Sequence, residues 1–337
     1  MVKNLTEGKP LKLLFLFAMP MILGNLFQQL YNMVDSMVVG KFVGEDALAA
    51  VGSSFPVVFL AVAIASGLSM GCTVVISQLY GAGQIQVMKT TIFTALILLG
   101  VIGLGIMGIG ELIASPLLKI LGTDPDIMND SLSYLRIYFG GAIFLFLYNT
   151  LNGIYNALGD SNTPLRFLMV SALTNIGLDL LFVIRFDMGV AGVAWATLIA
   201  QGMCAVISFV VLMKRLKRME SEEECQGIKP KLFERSAAAR IARVGIPSML
   251  QQSMVSLSMM MMQGLVNSYG KVFVAGYTAA TKIDTLAMLP NMNFSNAMSS
   301  YTAQNIGADK PERVTAGYRA SMLMVLIFSL IITGVIF

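Results

Sequence analysis

The sequence predicts an all-α polytopic membrane protein, and three observations carry that prediction. Of its 337 residues, 56% are hydrophobic and only 12% are charged, a balance that soluble domains do not show. The charges are clustered, leaving uncharged stretches at 13–34, 47–88, 137–159, 188–213, 244–270 and 320–337. Each can cross the ~30 Å hydrocarbon layer as a helix. Short motifs also recur at long, constant spacing, so the expected architecture is two parallel six-helix repeats related by a pseudo-twofold axis along the membrane normal, the second incomplete.

Hydropathy and charged boundaries place nine spans at about 13–34, 48–78, 91–113, 133–155, 165–184, 189–213, 243–266, 273–300 and 319–337. Lys3, Lys9 and Lys12 precede the first apolar run, as in a secretory signal, but the run is long and has no A-x-A cleavage pattern. It reads as a retained first span. Assigned to the nearest helix end, 17 basic residues lie on the side of the N-terminus: Lys3, Lys9, Lys12, Lys89, Arg166, nine within 214–243, Lys310, Arg313 and Arg319. Six lie opposite: Lys41, Lys119, Arg136, Arg185, Lys271 and Lys282. That asymmetry predicts a plasma-membrane protein of bacterial type with a cytoplasmic N-terminus.

The longest polar stretch, 214–243, holds the run KRLKR, then ESEEE. It reads as a cytoplasmic linker between an N-terminal lobe at 1–213 and a partial C-terminal lobe at 244–337. The adjacent acidic run partly cancels any attraction of the basic run to lipid.

The repeat is explicit. Ala18-Met19-Pro20 followed by Gln28-Gln29 returns as Gly245-Ile246-Pro247 followed by Gln251-Gln252. Ser77-Gln78-Leu79-Tyr80-Gly81-Ala82 returns as Ala303-Gln304-Asn305-Ile306-Gly307-Ala308. Pro20 and Pro247 stand 227 residues apart, and Gln78 and Gln304 stand 226 apart. Six spans separate equivalent helices, an even number, so both halves cross in the same sense. A second six-helix repeat would need three more helices after Phe337, and the chain reads as a fragment of such a protein.

Few ionisable residues fall inside spans, where an unpartnered carboxylate costs several kcal/mol. Asp35 and Asp179 are the main ones. Asn175 precedes Asp179 by four residues, which sets amide and carboxylate one turn apart on one helix face. Such a face can offer oxygens to a small cation or hold a protonated acid; the same groups can also simply bond neighbouring helices. Thr197 on the next helix can add a hydroxyl or bond its own backbone. Asp284 follows Lys282 closely, and it is either half of a structural pair or a contact of the second half. Trp195 is expected in the core. The four methionines at 259–262 cover every face of a helix, which suits lipid-facing and core filling better than a metal path. The chain has no His, and its three Cys show no CxxC spacing. No disulfide framework, metal cluster or cofactor is therefore expected, and any proton coupling must use carboxylates. Pro20, Pro56, Pro247 and Pro290 fall inside spans, where each removes a backbone hydrogen bond and favours a kink. The run GDSNTP at 159–164 reads as a tight turn.

Several motifs in order resemble the multidrug and toxic compound extrusion transporters. They are Ala18-Met19-Pro20 with Gln28-Gln29-Leu30-Tyr31, then Val34-Asp35 with Val39-Gly40, then Gln78-Leu79-Tyr80-Gly81-Ala82-Gly83. Asn156-Ala157-Leu158-Gly159-Asp160 follows, and then Asn175 and Asp179 with Gly189-Val190-Ala191-Gly192. The resemblance implies twelve helices in two lobes and export of organic cations or other amphipathic drugs in exchange for sodium ions or protons. It implies that Asp35, Asn175, Asp179 and Thr197 form a cation cluster, with Tyr134 as a further member and possible Na+ contact at Asp35, Asn175 and Asp179. Gln28, Tyr31, Gln252 and Asp284 are the candidate cavity residues, and Pro20 the candidate hinge. Where some branches of the family carry a glutamate on helix seven, this chain offers Gln252, Ser256 and Met260, which favours coupling through the N-terminal lobe. A lipid-linked oligosaccharide flippase of the same superfamily is the nearest alternative, although few Lys or Arg line the spans for a pyrophosphate. A non-transporting truncated membrane protein is the other. An intramembrane enzyme would need a nucleophile or metal set that the sequence lacks. The expected partners are small amphipathic or cationic substrates and the lipid bilayer, with no nucleic acid, for a monomeric chain.

Overall fold

The computed structural model describes residues 4–221, 230–267, 269 and 271–336. The acidic run around Glu222 to Glu224 and Cys225 lie outside the described residues. Among those described there are ten α-helices, two π turns and no strand. Helix α1 (Pro10–Val38) runs into a π turn at Val39–Val43, followed by α2 (Glu45–Gly81) and α3 (Ile85–Ile120). A bent pair follows, α4 (Met128–Gly140) and α5 (Ala142–Ala157), then α6 (Asn162–Leu180) with a second π turn at Leu181–Arg185. The chain continues through α7 (Gly189–Ser221), α8 (Arg235–Asn267), α9 (Lys271–Gly307) and α10 (Pro311–Ile336).

Each of the nine expected spans has its helix, but the fourth is corrected. Instead of one helix over 133–155, α4 and α5 meet at a 52° bend centred on Gly140-Gly141. A side chain at Gly141 would press on Leu198 of α7, so the missing Cβ lets the bend sit against its neighbour. Pro20 causes no such break, and α1 runs through it as one helix. Much of the expected linker is helical too, since α7 extends to Ser221 and α8 begins at Arg235.

By length and composition, six helices are apolar enough to cross a membrane, or seven with the bent pair taken as one, among the described residues. The outward side chains fit that setting: Leu112 is 79% exposed and Leu173 71%, as lipid contact requires. Helices α8 and α9, read above as spans from their sparse charge, do not reach that apolarity. Gln251, Gln252 and several serines in α8, and Asp284, Asn291, Asn293 and Asn296 in α9, dilute them. Their place in the bundle comes from packing: α8 lies along α2, and α9 packs on α1, α2 and α10.

Close backbone approach explains the α2–α8 contact. A Cβ on Gly67 would collide with the Met249 backbone, and one on Gly71 with the backbone of Ile241 and Gly245. The main core lies between α2, α3, α5 and α7, around Cys72, Ile76, Ile92, Phe146 and Tyr155, and reaches α8 at Ile241. A second cluster joins α1, α9 and α10 through Phe17, Ala18, Phe294 and Tyr301.

The repeat is visible in the backbone. At the end of α2, Ala82 N–H donates to Gln78 O (2.9 Å), Gly83 N–H to Tyr80 O (3.1 Å) and Gln84 N–H to Leu79 O (3.0 Å). At the end of α9, 226 residues on, Ala308 N–H donates to Gln304 O (3.0 Å), Asp309 N–H to Ile306 O (3.1 Å) and Lys310 N–H to Asn305 O (2.9 Å). These bonds satisfy the last helix carbonyls, and they need a left-handed residue just beyond the helix. It is Gly83 (φ +66°) in one copy and Asp309 (φ +55°) in the other, Asp being among the few residues that tolerate this region. The two motifs also touch each other. A Cβ on Gly81 would fall inside the Gln304 carbonyl, and one on Gly307 inside the Gln78 carbonyl. Such reciprocity places the pseudo-twofold axis between the ends of α2 and α9.

The GDSNTP turn is fastened at the same end of the bundle. Gly159 has φ +74°, and Asp160 accepts from Thr163 N–H at 3.1 Å and Thr163 Oγ1 at 2.8 Å. Arg215 Nη1 lies 2.9 Å from Asp160 Oδ2, with both side chains largely buried. Asp160→Asn removes the charge partner of Arg215 and weakens the start of α6. Its expected cost is about 2 kcal/mol, read as a lower thermal midpoint in detergent.

Candidate cation site and cavity

Asp35 and Asp179 approach each other from α1 and α6 just before the two π turns. Asp35 stands four residues ahead of the first π turn and Asp179 two ahead of the second. The turns themselves touch. A π turn inserts one residue into a helix and re-aims what precedes it, which is why such turns collect at functional sites. Here the helices that carry the half-buried Asp35 and the buried Asp179 are re-aimed near the same level.

The two carboxyl groups are near enough to act on each other electrostatically. Asp179 is fully buried, and Asp35 Oδ1 and Asp179 Oδ1 are buried without a hydrogen-bond partner. Asn175, 2% exposed, is the neighbour expected one turn away on α6. In the amide orientation that satisfies every neighbour, Asn175 Nδ2 donates to Asp179 Oδ2 at 3.2 Å. Its oxygen then accepts from Thr197 Oγ1 at 3.3 Å and Thr197 N–H at 3.2 Å. In the opposite orientation Nδ2 donates to Thr197 Oγ1 at 3.3 Å. Tyr134 of α4 is buried and, with Tyr31 of α1, stands within electrostatic range of both carboxyls. Tyr134 itself packs in an apolar cluster with Val38, Val39, Val51, Val183 and Val193.

A small pocket of about 30 Å³, partly open to the outside, adjoins this cluster between α1, α5, α6 and α7. Gln28, Tyr31, Tyr148, Ser171, Asn175, Thr197 and Gln201 supply its polar wall, and Leu168, Ala172 and Ala200 the apolar one. Tyr31, Asn175 and Thr197 therefore belong to both cluster and pocket. No Lys or Arg lines the pocket.

The structure thus brings together Asp35, Asn175, Asp179, Thr197, Tyr134, Gln28 and Tyr31. It does not bring Gln252 or Asp284 to them. Both are exposed, on α8 and α9 respectively, and the Lys282 side chain lies outside the described residues. Pro20 is buried on α1 fifteen residues before Asp35. Trp195, expected in the core, is instead 42% exposed, on the outer side of α7. Met259 and Met261 are 66% and 78% exposed, outside the packed core. Residues not singled out from sequence are Tyr138, Tyr148, Ser171 and Gln201. Tyr138 follows Tyr134 by one turn and stacks with it, rings 6.4 Å apart at 16°, so its i+4 spacing was the available signal. The others come from three helices and share no local pattern.

Comparison with known proteins follows the same lines. The MatE family model matches residues 20–181 and 247–337, two stretches that open on the repeated prolines. The "Probable multidrug resistance protein YpnP" of Bacillus subtilis is 33% identical over 317 residues, covering 92% of this chain and 68% of that protein. The "FAD transporter" of Shewanella oneidensis is 23% identical over 332 residues, covering 94% and 70%. A solved structure described as the outward-facing conformation of a multidrug resistance MATE family transporter of the MOP superfamily superposes with a TM-score of 0.88 at 27% identity. It covers 99% of this chain and 73% of that one. The chain spans roughly two thirds to three quarters of the length of these relatives. With most of its length matched by the family model and its helices arranged as in the solved transporters, the chain belongs to the MatE family of multidrug efflux transporters.

Proposed function

We propose that the chain works as a secondary antiporter that exports organic cations or other amphipathic compounds in exchange for sodium ions or protons, with Asp35 and Asp179 receiving the coupling ion. One observation carries this reading: two carboxyls near enough to act on each other, each with a buried unpartnered oxygen, share Tyr31, Asn175 and Thr197 with the adjoining pocket. Two carboxylates that close repel in a low-dielectric setting, so the arrangement requires a proton or a cation between them. Carboxylate, amide and hydroxyl oxygens form a hard donor set that suits sodium. Because the ion and the substrate would contact the same side chains, occupancy of one alters the shape offered to the other, which is the condition for exchange. A pocket of tyrosines and amides without a basic residue, beside two carboxyls, suits a cationic or neutral amphipath and disfavours a pyrophosphate.

With the N-terminus in the cytoplasm of a plasma-membrane protein, as the 17 to 6 distribution of basic residues supports, the closed end at Gly81 and Gly307 faces the cytoplasm. On this reading, access to the site is from the outer side of the membrane. Ion entry at the carboxyl pair would relieve their repulsion, draw α1 and α6 together and narrow the pocket, releasing substrate; Pro20 is the point where α1 lacks a backbone bond and can bend. The test is efflux of a cationic dye from vesicles under an imposed sodium gradient or an imposed proton gradient. Efflux that follows one gradient and stops when it is dissipated is the expected result. Efflux indifferent to both, or none with a panel of cationic dyes, sinks the proposal.

A further inference from the structure

Two short segments at the N-terminal end of the bundle are placed alike, although the site described above uses neither. Residues 4–7 lead into α1 and residues 231–234 lead into α8, the first helices of the two halves. Each is fastened to the other half. Leu5 N–H donates to Gln304 Oε1 at 3.1 Å, and Leu5 O accepts from Asn305 Nδ2 at 3.2 Å and from Arg313 Nη2 at 3.4 Å. Lys310 Nζ donates to Thr6 O at 3.3 Å. The Leu5 side chain is fully buried with Phe17, Phe294 and Tyr301. On the other side, Lys231 N–H donates to Thr90 Oγ1 and Glu234 N–H to Thr94 Oγ1 of α3, both at 3.0 Å. Leu232, the position 227 residues after Leu5, is 72% exposed, so the second fastening is the weaker.

Gln304 joins this arrangement to the contact on the pseudo-twofold axis. It is fully buried, holds Leu5 through its oxygen and donates through Nε2 to Ala157 O, the last residue of α5, at 2.7 Å. Its own carbonyl is the one Gly81 packs against. Parting the halves at this end therefore cannot leave the segments in place: the bonds from Gln304 to α5, from α9, α10 and the turn between them to residues 5 and 6, and from residues 231 and 234 to α3 all cross the parting surface.

We propose that residues 4–7 and 231–234 are crossed straps, each tied to the opposite half, which hold the N-terminal end of the bundle shut and must unfasten each time that end opens. Opening exposes Leu5 to water and leaves Leu5 N–H and O without their side-chain partners, so the straps bias the protein toward the state described here. The bias is larger for the first strap, because only it buries a leucine. As a step of a transport cycle the proposal rests on the efflux reading; as a latch it does not.

The test is a distance measurement in liposomes that needs no transport. Spin labels are placed at A82C and I306C on the exposed ends of α2 and α9, in the full chain with Cys225→Ser. The starting protein is expected to give mainly one short distance. T90V/T94V, which keeps side-chain shape and removes two acceptors, is expected to raise a second, longer population. Leu5→Ala is expected to raise it more, by roughly tenfold. An unchanged distribution in both folded variants, checked by their thermal midpoints, overturns the latch. Leu5→Asp extends the series where it folds. Longer distances without any dye efflux would uphold the straps and count against the efflux reading; efflux with unchanged distances would do the reverse.

Discussion

Asp35→Asn is expected to reduce ion-driven efflux to the background of vesicles without the protein, while leaving membrane insertion and thermal stability close to those of the starting chain. Asparagine keeps the size and one acceptor but removes the charge that a sodium ion needs and the site that a proton needs. Losing one charged contact to a buried ion costs on the order of 2–3 kcal/mol, a factor of roughly 30–150 in ion affinity. Asp179→Asn should behave alike, because both carboxyls act on one ion. The double variant should be no worse than either single one, since removing one member of a unit already ends its work. Substrate binding to the pocket should survive in the variants, which separates coupling from recognition. Dye efflux under the gradient that drives the starting chain, with binding followed by fluorescence, checks all three. Full efflux from Asp35→Asn would end the assignment of the carboxyl pair to coupling.

At the other end of the bundle, Gly81→Val should lower stability by about 3 kcal/mol or more, and Gly307→Val by a similar amount. In each case Cβ would fall inside a backbone carbonyl of the facing helix, and backbone cannot rotate away as a flexible side chain can. Valine in place of glycine is otherwise mildly favourable inside a helix, so a loss has to come from the crossing. Both substitutions push apart the same pair of helix ends. Once one has done so, the second costs less, and the double variant should be clearly less than additive. Thermal unfolding of the four proteins in one detergent measures this, and full additivity would mean that the two glycines do not share a contact. Distances between A82C and I306C should also lengthen in either single variant.

Much of the fold was legible because membrane helices are written in long local patterns. The expected spans follow from apolar stretches with few charges, since lipid offers no partner for a stray charge or an unpaired backbone group, and every one of them has its helix, although α8 and α9 fall short of the apolarity of the rest. The repeat follows from a constant offset, and Asn175 with Asp179 from spacing on one helix turn. The bend at Gly140-Gly141 was not legible, because two glycines inside an apolar run mark a break only when a neighbour such as Leu198 needs the room. The exposure of Trp195 was missed for a related reason: burial of an apolar residue in a lipid-facing protein depends on which face of its helix meets protein, and hydropathy is silent about that.

The sequence by itself determined the membrane class and the identity of the carboxyl pair's members, which depend on composition over a span, and the sense of the two halves, which depends on motifs repeated at a constant offset. The family resemblance implied that Asp35 and Asp179 share a cluster; only the tertiary structure showed how two residues 144 positions apart in the chain come together, ahead of π turns that touch. It alone set the seven polar pocket residues around one space, excluded Gln252 and Asp284 from it, and laid Gly81 and Gly307 across each other's backbones. These are contacts between helices, fixed by how small residues let backbones approach and how buried polar groups find partners. Such choices are made by the bundle as a whole, and no window along the chain contains them.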